Sequence, residues 1–494
     1  MTSKSELNSP QPFDHLVRHA RLSPSAIAMS AEHRDFTFAQ LHQQAKGIAG
    51  ILRDTGVQPG QIVVTQVKSN LHLVFMEALF HEAVIGCTFP GPVDQTNPVG
   101  FDWLVSHSYS PSFPRDRTII VDDLFMMGAS SQPNKLTART YDDFSSVCRL
   151  IFSSGTTGIP VAIPRTIRDF EGRLKDDDST WMSMRPVLSL ISIQGGIGVI
   201  CAYSNMANGD KYLPPGTGAT NLAQIKENYV ATVIGSPIQL DDLVKEAERA
   251  GARLDDLTKV LSAGSYLPLQ LVDRIKAITG ATVLNAYGSN EIGIVAWQSD
   301  HTGDATDVGL IVSGIEVQIV DENDQEVPTG ELGIIRCRQE FQAQSYFRSA
   351  EGREGGLRNG WFYPGDAGYV SANNHLHLAG RMSEMINSGG VKLNPAKVDA
   401  ALQSTGQVKD VCTFAFQRRD GIIGFAVAVV PSPHFDMATF ESAIERECRG
   451  VRANVVVQVA SIARSETGKI LRAEMANKLR AYLDLANDGD TSRE

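Results

Sequence analysis

The segment "SSGTTG", Ser153–Gly158, packs two serines, two threonines and two glycines into six residues, directly after the apolar run "LIF". Glycines permit tight turns and close backbone approach to an anion, and the hydroxyls add donors. A turn of this kind after a buried strand suits a phosphate cradle; an ordinary polar turn has the same composition. It is not a Walker loop, because the GxxxxGK[ST] spacing is absent.

Four further stretches place polar and charged residues among glycines. They are "NAYGSNEIG" (Asn285–Gly293), "GWFYPGDAG" (Gly360–Gly368), "GRMSEMINSGGVKLNP" (Gly380–Pro395) and "RSETGKILR" (Arg464–Arg472). Taken singly, Asp366 fits a turn cap, Glu291 a helix N-terminal charge and Lys469 a solvated lysine. Glu291 also suits a hard cation such as Mg²⁺. His375 and His377 alternate along a strand pattern and so share a face. They fit an exposed hairpin, or a metal pair for which no third ligand is evident.

Something must hold these stretches in register. "FTFAQLHQQAKGIAGILRDTG" has apolar residues at helical spacing and a glycine stop. "QIVVTQV" reads as a strand, "LHLVFMEALFHEAVIGC" as a helix, "YVATVIGSP" as strand and turn, "QLVDRIKAITG" as a helix and "ATVLNAYGS" as a strand. Alternating strands and helices predict an α/β fold with parallel sheets, which bind ligands outside the carboxyl ends of their strands. Near Val308 the pattern becomes period two around "DEND" and "PTGE" turns, predicting a small antiparallel β subdomain. After Gly380 it turns to mixed α+β and ends in a helix over Leu471–Leu483.

The 494 residues leave room for two to four domains or subdomains. Hydrophobic residues make up 42% and charged residues 20%, a globular profile. The net charge of −11, with no long lysine/arginine block, disfavours nucleic acid and anionic membranes as partners. Six scattered cysteines without a CxxC predict buried thiols in a reducing compartment. "MTSKSELNSPQPFDHLVRHA" has no apolar signal core, and the most apolar stretch, Val187–Tyr203, is broken by polar residues and glycines. The expectation is a cytoplasmic protein without membrane insertion.

Together with "SSGTTGIP", the four stretches resemble, in order and spacing, the adenylate-forming superfamily, including its AMP-forming acyl- and aryl-CoA ligases. The resemblance spans nearly the whole chain. "PRT", Pro164–Thr166, is similar to the aryl-acid-activating branch. The resemblance implies two half-reactions: a carboxylic acid attacks the α-phosphate of ATP to give an acyl-adenylate, then a thiol of CoA or of a carrier protein's phosphopantetheine displaces AMP. It implies a large N-terminal domain over residues 1–380, with parallel αβ subdomains and the small β subdomain. A hinge at 381–384 and a small mobile α+β lid at 385–494 complete it.

It also implies roles. Ser153, Ser154, Gly155, Thr156, Thr157 and Gly158 would hold the β- and γ-phosphates. Ala263, Gly264 and Ser265 would wall the adenine, Asn285 accept from its amino group, and Tyr287, followed by Gly288, stack on it. Asn290 would touch the α-phosphate, Glu291 hold Mg²⁺, Asp366 accept from the ribose hydroxyls and Arg381 contact ribose and phosphate. Lys469 would reach the carboxylate and α-phosphate during adenylation, and Gly389 and Gly390 would line a pantetheine tunnel. Ile193, Gln194, Gly195, Gly235 and Ser236 would line the acid pocket, with a small, apolar gate at Ile193–Gln194.

The chain departs from the family pattern at several places. Val161 fills the usual loop-lysine position, leaving Arg165, Arg168, Mg²⁺ or the hydroxyls to compensate. Ser383 stands where the hinge usually carries Asp or Lys, and Pro364 replaces a threonine before Gly365. The segment before the phosphate loop is short, so part of the first subdomain is expected to be trimmed. No aspartate near Gln194 would pair an α-amino group, which argues against amino-acid substrates. Two other readings stay open: an acyl-AMP ligase that passes its product to a carrier protein, amine or other nucleophile, and a nucleotide-binding, non-catalytic homologue.

Overall fold

The computed structural model describes residues 15–31, 34–89, 93, 99–132, 136–153, 161–176, 186–299, 306–348, 356–388, 391–417, 423–448, 450–464, 470–480 and 482–483. Local signals set the boundaries of the first long helix, Phe38–Thr55. Thr37 and Gln40 form a reciprocal capping box, and Gly56 ends the helix at φ +102°. The next helix, His72–His81, is shorter than its apolar run suggests. The chain turns at Ala83, φ +54°, and "IGC" becomes the strand Ile85–Cys87 instead of more helix.

That strand belongs to a six-stranded sheet. Its order is Thr118–Ile120, Trp103–Ser106, Ile62–Gln66, Ile85–Cys87, Val147–Ser153 and Val161–Thr166. All neighbours are parallel except the last pair, a hairpin in which Ser153 lies opposite Val161. A second sheet has twelve strands. Four are parallel: Val187–Ser189, Thr232–Gly235, Lys259–Ala263 and Thr282–Ser289. The chain then reverses into Gly293–Ser299, and the antiparallel strands after it continue the same sheet. The expected β subdomain is therefore an extension of the parallel sheet. Its members include Asp307–Ile311, Gly333–Arg338, Asp366–Val370 and His375–Arg381.

From Ile386 onward the described core is separate. One apolar cluster gathers Ile386, Leu402, Phe425 and Phe440; another gathers Cys412, Phe414, Met475 and Leu483. Neither includes a residue before 386. A three-stranded sheet, Val408–Gln417, Ile423–Pro431 and Val455–Gln458, underlies both. The C-terminal helix covers Arg472–Lys478, and helical residues at 480, 482 and 483, with the Leu483 N–H donating to the Leu479 carbonyl, reach the end of the expected span. All six cysteines are buried and none is in a disulfide. No described helix is long and apolar enough to cross a membrane.

Candidate active site

The carboxyl ends of the four parallel strands carry most of the expected site. Ile193–Gly195 follow the first of these strands, Gly235 and Ser236 end the second, Ala263–Ser265 end the third, and Asn285–Ser289 form the end of the fourth. Ladder register fixes their spacing: Gly235 lies opposite Ser262, Ser262 opposite Asn285, and Ala263 opposite Ala286. Gly264 sits at φ +97°, which a side chain would strain. At Gly288 a Cβ would stand 2.0 Å from the carbonyl oxygen of Gly293, so the hairpin closes only on glycine.

Asn285 offers a buried side-chain oxygen, Oδ1, with no hydrogen-bond partner among the described residues. A buried acceptor left unmade costs about 1–3 kcal/mol, so this atom fits a ligand donor. Two residues on, the Tyr287 hydroxyl donates to Asp366 Oδ2 at 2.5 Å. Burial, then the Asp366 charge, pushes the phenol well above its ordinary value and keeps it a donor. Arg381 Nε pairs with Asp366 Oδ1 at 3.0 Å, and its Nη1 donates to the Pro364 carbonyl. Asp366 is only 5% exposed. Tyr287, Asp366 and Arg381 thus form one connected set.

The turn between Thr282–Ser289 and Gly293–Ser299 carries Asn290 and Glu291. Asn290 Oδ1 accepts from the Gly196 N–H at 3.2 Å, the first residue of the helix Gly196–Ala207. That orients the amide and leaves Nδ2 as its donor end. Glu291 is buried, with Tyr346 O–H donating to Oε1 at 3.3 Å. Among the described residues it makes no ion pair, so this carboxylate would suit a hard cation such as Mg²⁺. Three consecutive carbonyls of the turn accept from distant side chains. Arg165 Nη2 reaches Asn290, Arg173 Nη2 reaches Glu291 at 3.3 Å, and Gln339 Nε2 reaches Ile292.

The acid side differs from the expected small, apolar gate. Ile193 is 2% exposed and packs in the core, while Arg149 Nη2 holds its carbonyl at 3.0 Å. Gln194 Nε2 lies 2.7 Å from His72 Nε2. The amide donates, so His72 is neutral at that nitrogen. Burial, then Arg149, lowers the imidazole to about 4. Ser236 caps the helix Pro237–Arg249, its N–H donating to Gln239 Oε1 at 2.9 Å. The gate is therefore a polar Gln–His pair.

His72 carries a pH prediction. Between pH 6.5 and 4 the unfolded chain binds a proton at this residue that the folded chain does not. Stability then falls as pH falls through that window, by about 2 kcal/mol at pH 5 for this one group. Urea unfolding at pH 7.5 and 5.0 should show the drop, and His72→Gln should reduce it. An unchanged pH slope in that variant would show that His72 is not the group responsible.

Ser153 ends its strand, but Ser154, Gly155, Thr156, Thr157, Gly158, Gly389, Gly390 and Lys469 lie outside the described residues. Arg168 pairs with Glu340 at 2.9 Å on the surface. His375 pairs with Asp307 at 3.0 Å, and His377 stacks on Tyr369 with ring centres 4.6 Å apart. Among the described residues no group of three or more His, Cys, Asp or Glu is set to hold a metal. Tyr346, His72, Arg173 and Gln339 were not legible as site residues, because each acts on a partner far away in sequence.

Residues 111–347 match the AMP-binding enzyme family. That match agrees with the resemblance to the adenylate-forming superfamily. It is 25% identical over 436 residues to the feruloyl-CoA synthase of Amycolatopsis sp, covering 84% of this chain and 87% of that one. It is 23% identical over 512 residues to the fatty acid–[acyl-carrier-protein] ligase ScoC of Streptomyces coeruleorubidus, covering 93% and 95%. Its fold is that of the o-succinylbenzoate CoA synthetase MenE of Bacillus subtilis, solved with an acyl-adenylate. The TM-score is 0.81 at 19% identity, over 94% of this chain and 98% of that one.

Proposed function

We propose that this protein is an AMP-forming carboxylate ligase. It activates an aryl or acyl carboxylic acid with ATP and passes the acyl group to the thiol of CoA. The observation that carries this reading is a grouping around the end of the strand Thr282–Ser289 and the turn that follows it. The strand end and its turn carry the Asn285 acceptor, without a hydrogen-bond partner among the described residues, the Glu291 carboxylate, without an ion pair among them, and Tyr287, which joins Asp366 and Arg381. Each answers a different part of a nucleotide.

In this reading Asn285 Oδ1 accepts from the adenine amino group, and the Tyr287 ring lies on the base. Asp366 accepts from the ribose hydroxyls while Arg381 holds its other face. Asn290 Nδ2 donates to the α-phosphate, in the orientation that Gly196 fixes. Glu291 holds Mg²⁺, whose chemistry is to neutralise phosphate charge. The acid's carboxylate oxygen attacks the α-phosphorus as pyrophosphate leaves; the thiol sulfur then attacks the acyl carbon as AMP leaves. Positioning and charge stabilisation do most of the catalytic work in such transfers.

The domain cut near residue 380, with the hinge at 381–384, is part of the proposal; the separate cores after Ile386 support it. A carrier-protein pantetheine is the second candidate acceptor, supported by the likeness to ScoC. A cytoplasmic location accords with six cysteines that form no disulfide.

Acid-dependent ATP–pyrophosphate exchange over a panel of aryl and acyl acids tests the reading. Exchange with at least one acid is expected; silence across the panel by a protein that still binds ATP would leave a non-catalytic homologue. Gly389→Trp or Gly390→Trp should leave exchange intact and stop thioester formation. Survival of the thioester step in both variants would remove the tunnel assignment.

A further inference from the structure

Arg165 is the second unusual residue of the phosphate hairpin, after Val161. It is 1% exposed, on the strand Val161–Thr166, which leads away from the loop. A fully buried arginine normally has a carboxylate partner. Here no carboxylate lies within ion-pair distance among the described residues, and Nη1 has no hydrogen-bond partner. Among the described residues the one hydrogen bond of its guanidinium is Nη2 to the Asn290 carbonyl. Asp169 is occupied elsewhere: it closes a capping box with Thr166 at the start of the helix Ile167–Asp176. Burial, then Arg173, pull the Arg165 pKa down, and Asp169 and Glu291 only partly oppose them. The site therefore carries a desolvated positive charge directly behind the residue expected to face the α-phosphate.

We propose that Arg165 supplies, from behind the Asn290–Glu291 turn, the positive charge toward the nucleotide phosphates that the loop lacks at Val161. The proposal rests on the reading that this site binds ATP. Arg165 does not touch the nucleotide: its carbonyl contact fixes Asn290, and its charge acts through a medium of low polarity. In the free protein this charge is under-compensated, and an arriving polyphosphate compensates it. Arg168, the other arginine that could compensate for Val161, pairs with Glu340 at the surface.

The test separates charge from scaffolding. Arg165→Gln keeps a donor for the Asn290 carbonyl and loses the charge; Arg165→Lys keeps the charge. Binding of ATP and of adenosine, each with Mg²⁺ present, is measured by calorimetry for both variants and for Val161→Lys/Arg165→Gln. Arg165→Gln should weaken ATP by about tenfold and leave adenosine within about twofold, the scale of one unit charge acting across a partly screened site. Arg165→Lys should stay close to wild type, and the double variant should regain ATP affinity.

Melting temperature without ligand is the second readout. Arg165→Gln should melt no lower than wild type, because it removes a buried charge without a carboxylate partner. Equal weakening of ATP and adenosine, or a lower melting temperature with ATP affinity unchanged, would reduce Arg165 to a structural prop. Should Arg165→Gln fail to fold, a tenfold loss of ATP binding in Arg165→Lys overturns the proposal by itself. A wild-type protein that binds no ATP would instead sink the reading on which the proposal rests.

Discussion

Asp366→Ala is expected to lower acid-dependent pyrophosphate exchange by about a hundredfold or more, the scale seen when a preorganised polar group is lost from a reacting site. The carboxylate has two kinds of work. Inside the protein it accepts from Tyr287 O–H at 2.5 Å and from Arg381 Nε at 3.0 Å. Toward the ligand, on the proposed reading, it accepts from the ribose hydroxyls. Alanine removes both, and it leaves a buried hydroxyl and a half-buried guanidinium without their acceptor. That orphaning should cost about 1–3 kcal/mol of stability. Asp366→Asn keeps the shape and one acceptor oxygen, so it should fall between alanine and wild type in both respects. Steady-state kinetics with varied ATP, alongside thermal melts, distinguish the two kinds of work. If Asp366→Ala melts lower but keeps its KM for ATP and its rate, the carboxylate serves only to tie Tyr287 to Arg381, and the ribose assignment is wrong.

The same set of residues shows what a sequence reveals and what it hides. Asn285, Tyr287, Asn290 and Glu291 lie within seven residues on one strand end and its turn, so their chemistry was legible as a motif. The residues that hold them are not local. Arg165 reaches Asn290 across 125 residues, Arg173 reaches Glu291 across 118, and His72 reaches Gln194 across 122. No periodicity records such a contact, because it exists only once separate sheets have packed.

The fold followed a similar division. The helix Phe38–Thr55 announced its own ends through Thr37, Gln40 and Gly56. "HEAVIGC" did not, since an apolar run reads alike as buried helix and buried strand, and the turn at Ala83 has no glycine to mark it. One local signal did point beyond itself: an arginine at an inward position of an apolar strand, in "VAIPRT". Such a residue breaks the pattern at a cost, and a site that uses charge is where that cost is expected.

Lys469→Ala should split the two half-reactions. Acyl-adenylate formation should fall by about 100- to 1000-fold, as expected when a cation is removed from charge developing on the α-phosphate. Thiolysis of a supplied acyl-adenylate should stay within about threefold, because that step no longer develops charge between carboxylate and ATP. The flanks of the lysine are firmly set even though Lys469 itself is outside the described residues. Arg464 and Ile470 pair in an antiparallel bridge, and Arg464 Nη2 holds Asp410 at 2.6 Å. Three residues past the lysine, Arg472 donates to buried Asp399 at 2.6 Å, to the Thr413 carbonyl at 2.8 Å and to Glu384 at 3.1 Å. Glu384 belongs to the proposed hinge, so one arginine ties the hinge to the segment that carries Lys469. A lysine presented by a segment anchored in this way would move with the lid, entering the site in one orientation and leaving it in the other. Pyrophosphate exchange reports the first half-reaction, and CoA-dependent consumption of synthetic acyl-adenylate reports the second. Equal loss in both assays would mean that Lys469 supports the fold or both steps, and the assignment to adenylation alone would fall.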